Sequence, residues 1–222
     1  MKRFAVSVLA LIALAAFTPA LPAHAAPKPA AKTTTKTTTK TAAAPAVVDS
    51  VDLLQKAVAR DSSKWDNLYR LGVMLLDHDR PQEAVRVLTK ATQVRPGHVP
   101  TLVNLGAAYD ALGQAGNAQL NYNEALKIAP DDTVATCRLA SSLYSTGEYN
   151  QSIDLLRALV KKNPSAYCAY FTLGVAFADA GIYKDAIRMW EKVVAIAPTS
   201  PEALSAKESI DVLQRVIQSN AH

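Results

Sequence analysis

The fold is decided by residues 99–132, which read VPTLVNLGAAYDALGQAGNAQLNYNEALKIAPDD. Apolar residues recur at helical spacing in each half of this stretch, and Gly113 lies between the halves. The pair of Leu105 and Gly106, and later Pro130, return every 34 residues along the chain. The recurring columns are Leu71, Leu105, Leu139 and Leu173, then Gly72, Gly106, Ala140 and Gly174, and finally Pro96, Pro130, Pro164 and Pro198. An unbroken period of this length predicts a repeat protein.

Each column has a physical role in a pair of antiparallel helices. The small residue after leucine lets the two helices approach closely, and large residues at helical spacing fill the space between them. Gly113, Gly147 and Gly181 are predicted to end the first helix of a pair, where a left-handed backbone favours a residue without Cβ. Asp79 takes that place in the first repeat, and the following Pro81 is suited to open the next helix. The recurring proline ends the second helix because it lacks an N–H group.

This pattern resembles the tetratricopeptide repeat, whose signature is a Leu-Gly pair, an aromatic residue, a small residue, a second aromatic residue and then a proline. The resemblance implies an all-α fold, a right-handed α-solenoid of helix-turn-helix repeats. It covers four repeats without insertion, at residues 65–98, 99–132, 133–166 and 167–200.

Both ends of the repeat array are expected to carry an extra helix. Residues 47–64 align with the second half of a repeat and predict an N-terminal half-repeat helix. Residues 201–222 predict a C-terminal capping helix with one apolar stripe. A capping box running from Thr199 to Glu202, with Pro201 in the first turn, is predicted to start this last helix.

The N-terminal residues 1–25 have the pattern of a secretory signal peptide. Lys2 and Arg3 precede an apolar run at residues 4–17, and Ala23 and Ala25 form the small-x-small end that signal peptidase recognises. Secretion across the inner membrane, into a bacterial periplasm, is therefore expected. An uncleaved membrane anchor is the alternative, although 14 residues span roughly 21 Å of a hydrocarbon core roughly 30 Å thick.

Residues 26–46 form a Lys/Thr/Ala/Pro tract that is predicted to be a disordered spacer, because it contains too little apolar surface to fold. Its four lysines could instead make a weak contact with an anionic envelope surface. These lysines also explain much of the net charge of +5. Of the 24 basic residues, six precede Val47, which leaves 18 against 19 acidic residues. A nearly neutral repeat region gives no support for a nucleic-acid partner.

No motif in the sequence indicates catalysis. Hydrolase, zinc-protease, phosphate-loop and dinucleotide signatures are absent, so neither an enzymatic activity nor a cofactor is expected. His78 and His98 fall at turns, where solvated imidazoles are expected rather than metal ligands. The sequence therefore predicts no catalytic residue and no metal site.

The family resemblance implies that the concave face of the first helices binds an extended peptide or a partner helix. Some family members clamp a carboxylate, but only Asn104 and Arg138 match that set here, which argues against a clamp. The candidate groove residues are Tyr69, Arg70, Val73, Asn104, Arg138, Tyr144, Phe171 and Val175. The resemblance favours a scaffold or adaptor for protein partners in the cell envelope. Two alternatives stay open: a holder of unfolded clients, as in cytochrome c maturation, and an accessory subunit of an envelope enzyme or export complex.

The two cysteines are expected on neighbouring first helices, which run side by side in this family. Cys137 and Cys168 would lie one helical turn apart in register, an offset at which such helices approach each other. A disulfide between them is therefore a candidate, and it would suit an oxidising compartment. The alternative is two small buried-type side chains that never meet.

Overall fold

The computed structural model describes residues 50–220, so the predicted signal peptide, residues 1–25, and the predicted spacer, residues 26–46, lie outside the described residues. Residues 50–220 form ten helices and no strand. The helices are α1 (Ser50–Arg60), α2 (Trp65–Asp77), α3 (Pro81–Val94), α4 (Val99–Ala111), α5 (Ala115–Ile128), α6 (Thr133–Ser145), α7 (Tyr149–Lys162), α8 (Tyr167–Asp179), α9 (Tyr183–Ile196) and α10 (Pro201–Ser219).

The helices form an all-α solenoid, as the 34-residue period predicts. Each repeat contains one helix pair: α2 with α3, α4 with α5, α6 with α7, and α8 with α9. We call α2, α4, α6 and α8 the first helices, and α3, α5, α7 and α9 the second helices. Each helix packs against the next along the chain, and neighbouring first helices also contact one another directly. Helix α1 precedes the four pairs and α10 follows them. None of the helices within residues 50–220 is long and apolar enough to cross a membrane.

The glycine column marks the closest approach of first and second helices, which confirms the packing role predicted for it. A Cβ atom at Gly106 would lie 2.4 Å from Cε1 of Tyr122. At Gly174 it would lie 2.4 Å from Nε1 of Trp190. Both large side chains are buried, so they fill the space that the missing Cβ leaves open.

The turns within the repeats adopt the left-handed backbone that was predicted. The φ angles are 69° at Gly113, 87° at Gly147 and 74° at Gly181. Asp79 has a φ of 54° and is the one non-glycine residue with positive φ among residues 50–220. Aspartate tolerates this conformation better than most side chains do, which explains how the first repeat keeps the same turn.

The start of α10 differs from the prediction by one residue. Ser200, rather than Thr199, is the N-cap, and its side chain accepts a hydrogen bond from the amide of Ala203 at 3.1 Å. The physical reason is Pro201, which biases the preceding residue towards an extended backbone and fits the first helical position itself. Ser200 accordingly has φ −71° and ψ 153°.

Candidate functional site

The candidate site is the surface of the first helices, where hydrogen bonds link one repeat to the next. Ser141 Oγ on α6 lies 3.3 Å from Thr172 Oγ1 on α8. At the ends of the same two helices, the hydroxyl of Tyr144 donates to the carboxylate of Asp179 at 2.9 Å. Side chains on this surface therefore meet residues roughly one repeat away in sequence.

An aromatic cluster forms the N-terminal part of this surface. The rings of Trp65 and Tyr69 stack with centroids 5.3 Å apart, and His98 meets the Trp65 ring edge-on at 4.5 Å. The guanidinium of Arg95 lies 4.7 Å from the centre of the Trp65 ring, a cation–π contact. Tyr69 is half-buried, and burial raises the pKa of its hydroxyl.

The expectation of a solvated imidazole was wrong for His98. Its ring is half-buried against Trp65 and Tyr69, and its Nδ1 accepts a hydrogen bond from the amide of Thr101 at 3.2 Å. His98 is therefore the N-cap of α4. Burial lowers the pKa of His98, and the positive charge of Arg95 lowers it further. His78, by contrast, is exposed at the end of α2, as expected.

The Asn104 side chain is already engaged within the protein. Its Nδ2 donates to the carbonyl of Pro100 at 2.8 Å and makes a longer contact of 3.5 Å with the hydroxyl of Tyr69. The neighbouring candidate Arg70 is exposed, with its guanidinium 3.9 Å from the carboxylate of Asp66.

A half-buried carboxylate joins the second and third repeats. Asp110 on α4 accepts hydrogen bonds from the hydroxyls of Tyr122 at 2.8 Å and Ser142 at 2.9 Å. Burial raises the pKa of Asp110, whereas these two bonds and the charge of Arg138 oppose the increase. Burial also raises the pKa of Tyr122 and lowers that of the Arg138 guanidinium. Arg138, a predicted groove residue, is therefore part of an electrostatic network in the floor of the surface.

The C-terminal part of the surface is apolar. Phe171 and Val175 on α8 are half-buried and pack against the cluster that contains Trp190. The carbonyl of Phe171 accepts a hydrogen bond from the Trp190 indole at 3.2 Å. The Tyr144 ring meets the exposed ring of Tyr149 edge-on at 4.9 Å. Burial raises the pKa of Tyr144, and its bond to the Asp179 carboxylate adds to that increase.

Cys137 and Cys168 form a disulfide between α6 and α8. Their Cα atoms lie 6.1 Å apart, and the bond joins residues 31 positions apart in sequence. It holds the first helices of the third and fourth repeats in direct contact. Among residues 50–220, no group of His, Cys, Asp or Glu side chains could hold a metal ion.

The predicted groove residues lie in separate groups rather than in one cluster. Tyr69 contacts Asn104, whereas Phe171 and Val175 pack at the other end of the solenoid. Sequence reasoning missed Trp65, His98, Asp110 and Asp179. Trp65, His98 and Asp110 each occur once in their column of the repeat, so the period gives no sign of their contacts. Asp179 shares its column with Asp77, but its hydrogen-bond partner Tyr144 has no equivalent tyrosine in the other repeats. The one available signal for the aromatic cluster was the placement of Trp65 and His98, which are the first and last residues of the first repeat.

Two segments of the chain are similar to a known repeat family. Models of the tetratricopeptide repeat family match residues 99–132 and residues 137–201. One curated relative is Superkiller protein 3 of Saccharomyces cerevisiae, 28% identical over 92 residues. That match covers 41% of this chain but only 6% of the length of the relative.

Solved structures show the same fold. MamA is 20% identical with a TM-score of 0.57, and the match covers 66% of this chain and 85% of MamA. YrrB, a TPR protein with an unusual peptide-binding site, is 23% identical with a TM-score of 0.54. That match covers 71% of this chain and 81% of YrrB. At these identities the likeness is one of fold.

Proposed function

We propose that the protein is a non-catalytic scaffold that binds an extended segment of a protein partner along its first helices. The observation that carries this proposal is a strip of small or apolar side chains at the same position of successive repeats. The strip consists of Val73, Ala107, Ser141 and Val175, which are 34 residues apart and half-buried or exposed. Small side chains leave room for another backbone to approach, and direct contact between the first helices makes the strip continuous.

Aromatic side chains lie near both ends of this strip. Tyr69 and Phe171 occupy equivalent positions in the first and fourth repeats, and each is half-buried. Partly exposed aromatic groups are common anchors in interfaces because they bury much apolar area with few rotatable bonds. We therefore expect the partner segment to carry apolar side chains at both ends. The peptide-binding site of YrrB, a protein of the same fold, supports this kind of ligand.

The bacterial periplasm is the proposed location. Two observations support it: the export pattern of residues 1–25 and the disulfide between Cys137 and Cys168. Disulfides persist in oxidising compartments and are rare in the cytosol. An adaptor function in the cell envelope follows from this location together with the strip.

The strip can be blocked without touching the core. Ser141 is exposed in the middle of the strip, so Ser141→Trp would fill it with an indole ring. Leu120 is 69% exposed on the second helix α5, so Leu120→Trp is the matched control on the opposite side. After cross-linking in the periplasm, we expect the Ser141→Trp protein to lose its stoichiometric partner and the control to retain it, with unchanged melting curves. Equal capture of the partner by both variants would show that the binding site does not lie on the first helices.

A further inference from the structure

Cys137 and Cys168 lie on the same surface as the strip. Cys137 is one helical turn before Ser141 on α6, and Cys168 is one turn before Thr172 on α8. The side chains of Ser141 and Thr172 meet at 3.3 Å. The disulfide is therefore part of the surface where the third and fourth repeats adjoin, one turn away from a residue of the strip.

The two cysteines have different surroundings. Cys137 is 6% exposed and packs in one cluster with Leu156 and Leu173, whereas Cys168 is half-buried. Cys168 is also the second residue of α8, whereas Cys137 is the fifth residue of α6. If the bond is reduced, the two sulfur atoms must separate to a van der Waals distance, and Cys168 is the side chain with room to move. The change therefore falls on the first turn of α8.

This first turn of α8 has no side-chain cap. Ala166 is the N-cap residue and supplies no side-chain acceptor for the amides of the turn. At the equivalent place in α6, Asp132 accepts a hydrogen bond from the amide of Ala135 at 2.7 Å. A helix start without a cap is less stable, so the covalent bond from Cys168 to the enclosed Cys137 holds a turn that lacks the usual stabilisation.

The position of Phe171 depends on the same turn. A helical side chain lies over the turn that precedes its own Cα, which for Phe171 is the turn of Tyr167 and Cys168. The backbone is fixed to α9 only from Phe171 onward, where its carbonyl accepts a hydrogen bond from the Trp190 indole at 3.2 Å. Loss of order in the first turn would therefore change the support of the Phe171 ring, one of the two aromatic anchors of the strip.

We propose that the disulfide between Cys137 and Cys168 is a redox switch, whose reduction loosens the first turn of α8 and weakens partner binding at that end of the strip. The effect on binding rests on the proposed function. A dithiol is the class of reductant that the switch requires. One thiolate of the dithiol attacks Sγ of the more exposed Cys168, the bond between the cysteines breaks, and Cys137 leaves as a thiolate that takes up a proton.

The second thiolate of the dithiol then completes the reduction. It attacks the sulfur of the reductant in the mixed disulfide, and Cys168 leaves as a thiolate that also takes up a proton. The products are two protein thiols and the disulfide form of the reductant. Oxidation by the reverse steps restores the bond and the ordered turn.

Amide hydrogen exchange of the full chain tests the switch, with dithiothreitol as the reductant. We expect the amides of residues 169–172 to exchange about tenfold faster in the reduced protein than in the oxidised protein, the scale of a lost helix cap. The equivalent amides of α6, at residues 135–138, should change much less because Asp132 caps that helix. The double variant Cys137→Ser/Cys168→Ser is the matched control, and it should exchange fast at residues 169–172 with or without dithiothreitol.

A cap supplied at position 166 gives a second readout. Ala166→Ser places a hydroxyl acceptor at the start of α8 and should remove most of the effect of dithiothreitol on residues 169–172. Ala166 is 2% exposed, so thermal denaturation of the oxidised variant must first show that it folds. If the variant does not fold, the double cysteine variant decides the question alone.

Other outcomes would overturn the proposal. Unchanged exchange at residues 169–172 would show that the bond does not hold the turn, and an equal increase in all four repeats would show that it stabilises the whole fold instead. The reduced protein should also retain less of the partner that the oxidised protein captures in the cross-linking experiment, and equal capture would contradict control of binding. If the oxidised protein captures no partner, the proposed function fails, whereas hydrogen exchange still decides whether the turn responds to reduction.

Discussion

The hydroxyl of Tyr122 on α5 donates a hydrogen bond to the carboxylate of Asp110 on α4, across 2.8 Å. The other oxygen of that carboxylate accepts a hydrogen bond from Ser142 on α6. One acidic side chain therefore ties a first helix to its own second helix and to the first helix of the next repeat. Burial disfavours the charged form of Asp110, and the hydrogen bonds from Tyr122 and Ser142 favour it. These two donors therefore offset part of the free-energy cost of keeping Asp110 ionised.

Removal of the Tyr122 hydroxyl should destabilise the fold. We expect Tyr122→Phe to lower the free energy of unfolding by about 1–3 kcal/mol, because the half-buried carboxylate of Asp110 loses a donor on its inner side. Urea denaturation gives this difference directly. Tyr144→Phe is the matched control, since it removes a similar bond of 2.9 Å to Asp179, which is exposed. A loss of equal size in both variants would contradict the importance of burial at Asp110.

Two glycine substitutions should change stability in opposite directions. Gly106→Ala places a methyl group 2.4 Å from the buried Tyr122 ring and should cost about 1–3 kcal/mol or more. Gly116, near the start of α5, has nothing within 4 Å of the position of a Cβ atom. Gly116→Ala should therefore stabilise the protein by about 0.4–1 kcal/mol, because alanine restricts the unfolded chain. Thermal denaturation of both variants checks the pair, and a stabilising Gly106→Ala would refute the close packing.

The stability of the protein should depend on the protonation of His98. Because burial lowers its pKa in the folded state, the unfolded state binds the proton first as the pH falls below the ordinary value of 6.5. The contribution of neutral His98 is fully present above that value and is lost below it, as Nδ1 ceases to accept from Thr101. His98→Asn keeps a capping acceptor without titration. We expect unfolding at about pH 7.5 and about pH 5.5 to differ more for the native protein than for this variant.

The disulfide should contribute strongly to stability. In the chain-entropy treatment, closing an interval of 31 residues stabilises by about 3–4 kcal/mol. The double variant Cys137→Ser/Cys168→Ser, which leaves no unpaired thiol, should lose about that amount in urea denaturation. Thiol titration of the oxidised protein in denaturant should find no reactive cysteine. Two reactive thiols would show that the bond does not form in the oxidised protein.

The sequence predicted the repeat architecture because its columns correspond to contacts inside each repeat. The positions of Gly106 and Tyr122 are 16 residues apart, and every repeat has a small residue at the first position and a large one at the second. The period therefore reveals that these two positions pack together. The contacts of His98 with Trp65 and of Asp110 with Ser142 depend on residues that occur once. They form only because the solenoid brings a turn or a neighbouring helix close, and periodicity carries no information about such pairs. The exact start of α10 was missed for a local reason, the effect of Pro201 on Ser200.

The covalent link between α6 and α8 also has a mechanical consequence. A repeat array pulled from its two ends is expected to unravel helix by helix, since each repeat contacts mainly its neighbours. The bond between Cys137 and Cys168 removes 31 residues from the extensible length, about 100 Å of stretched chain. Helix α7 and its flanking turns would therefore carry no load while the bond persists. Under tension the helices outside this interval would lengthen, and the junction of the third and fourth repeats would stay short.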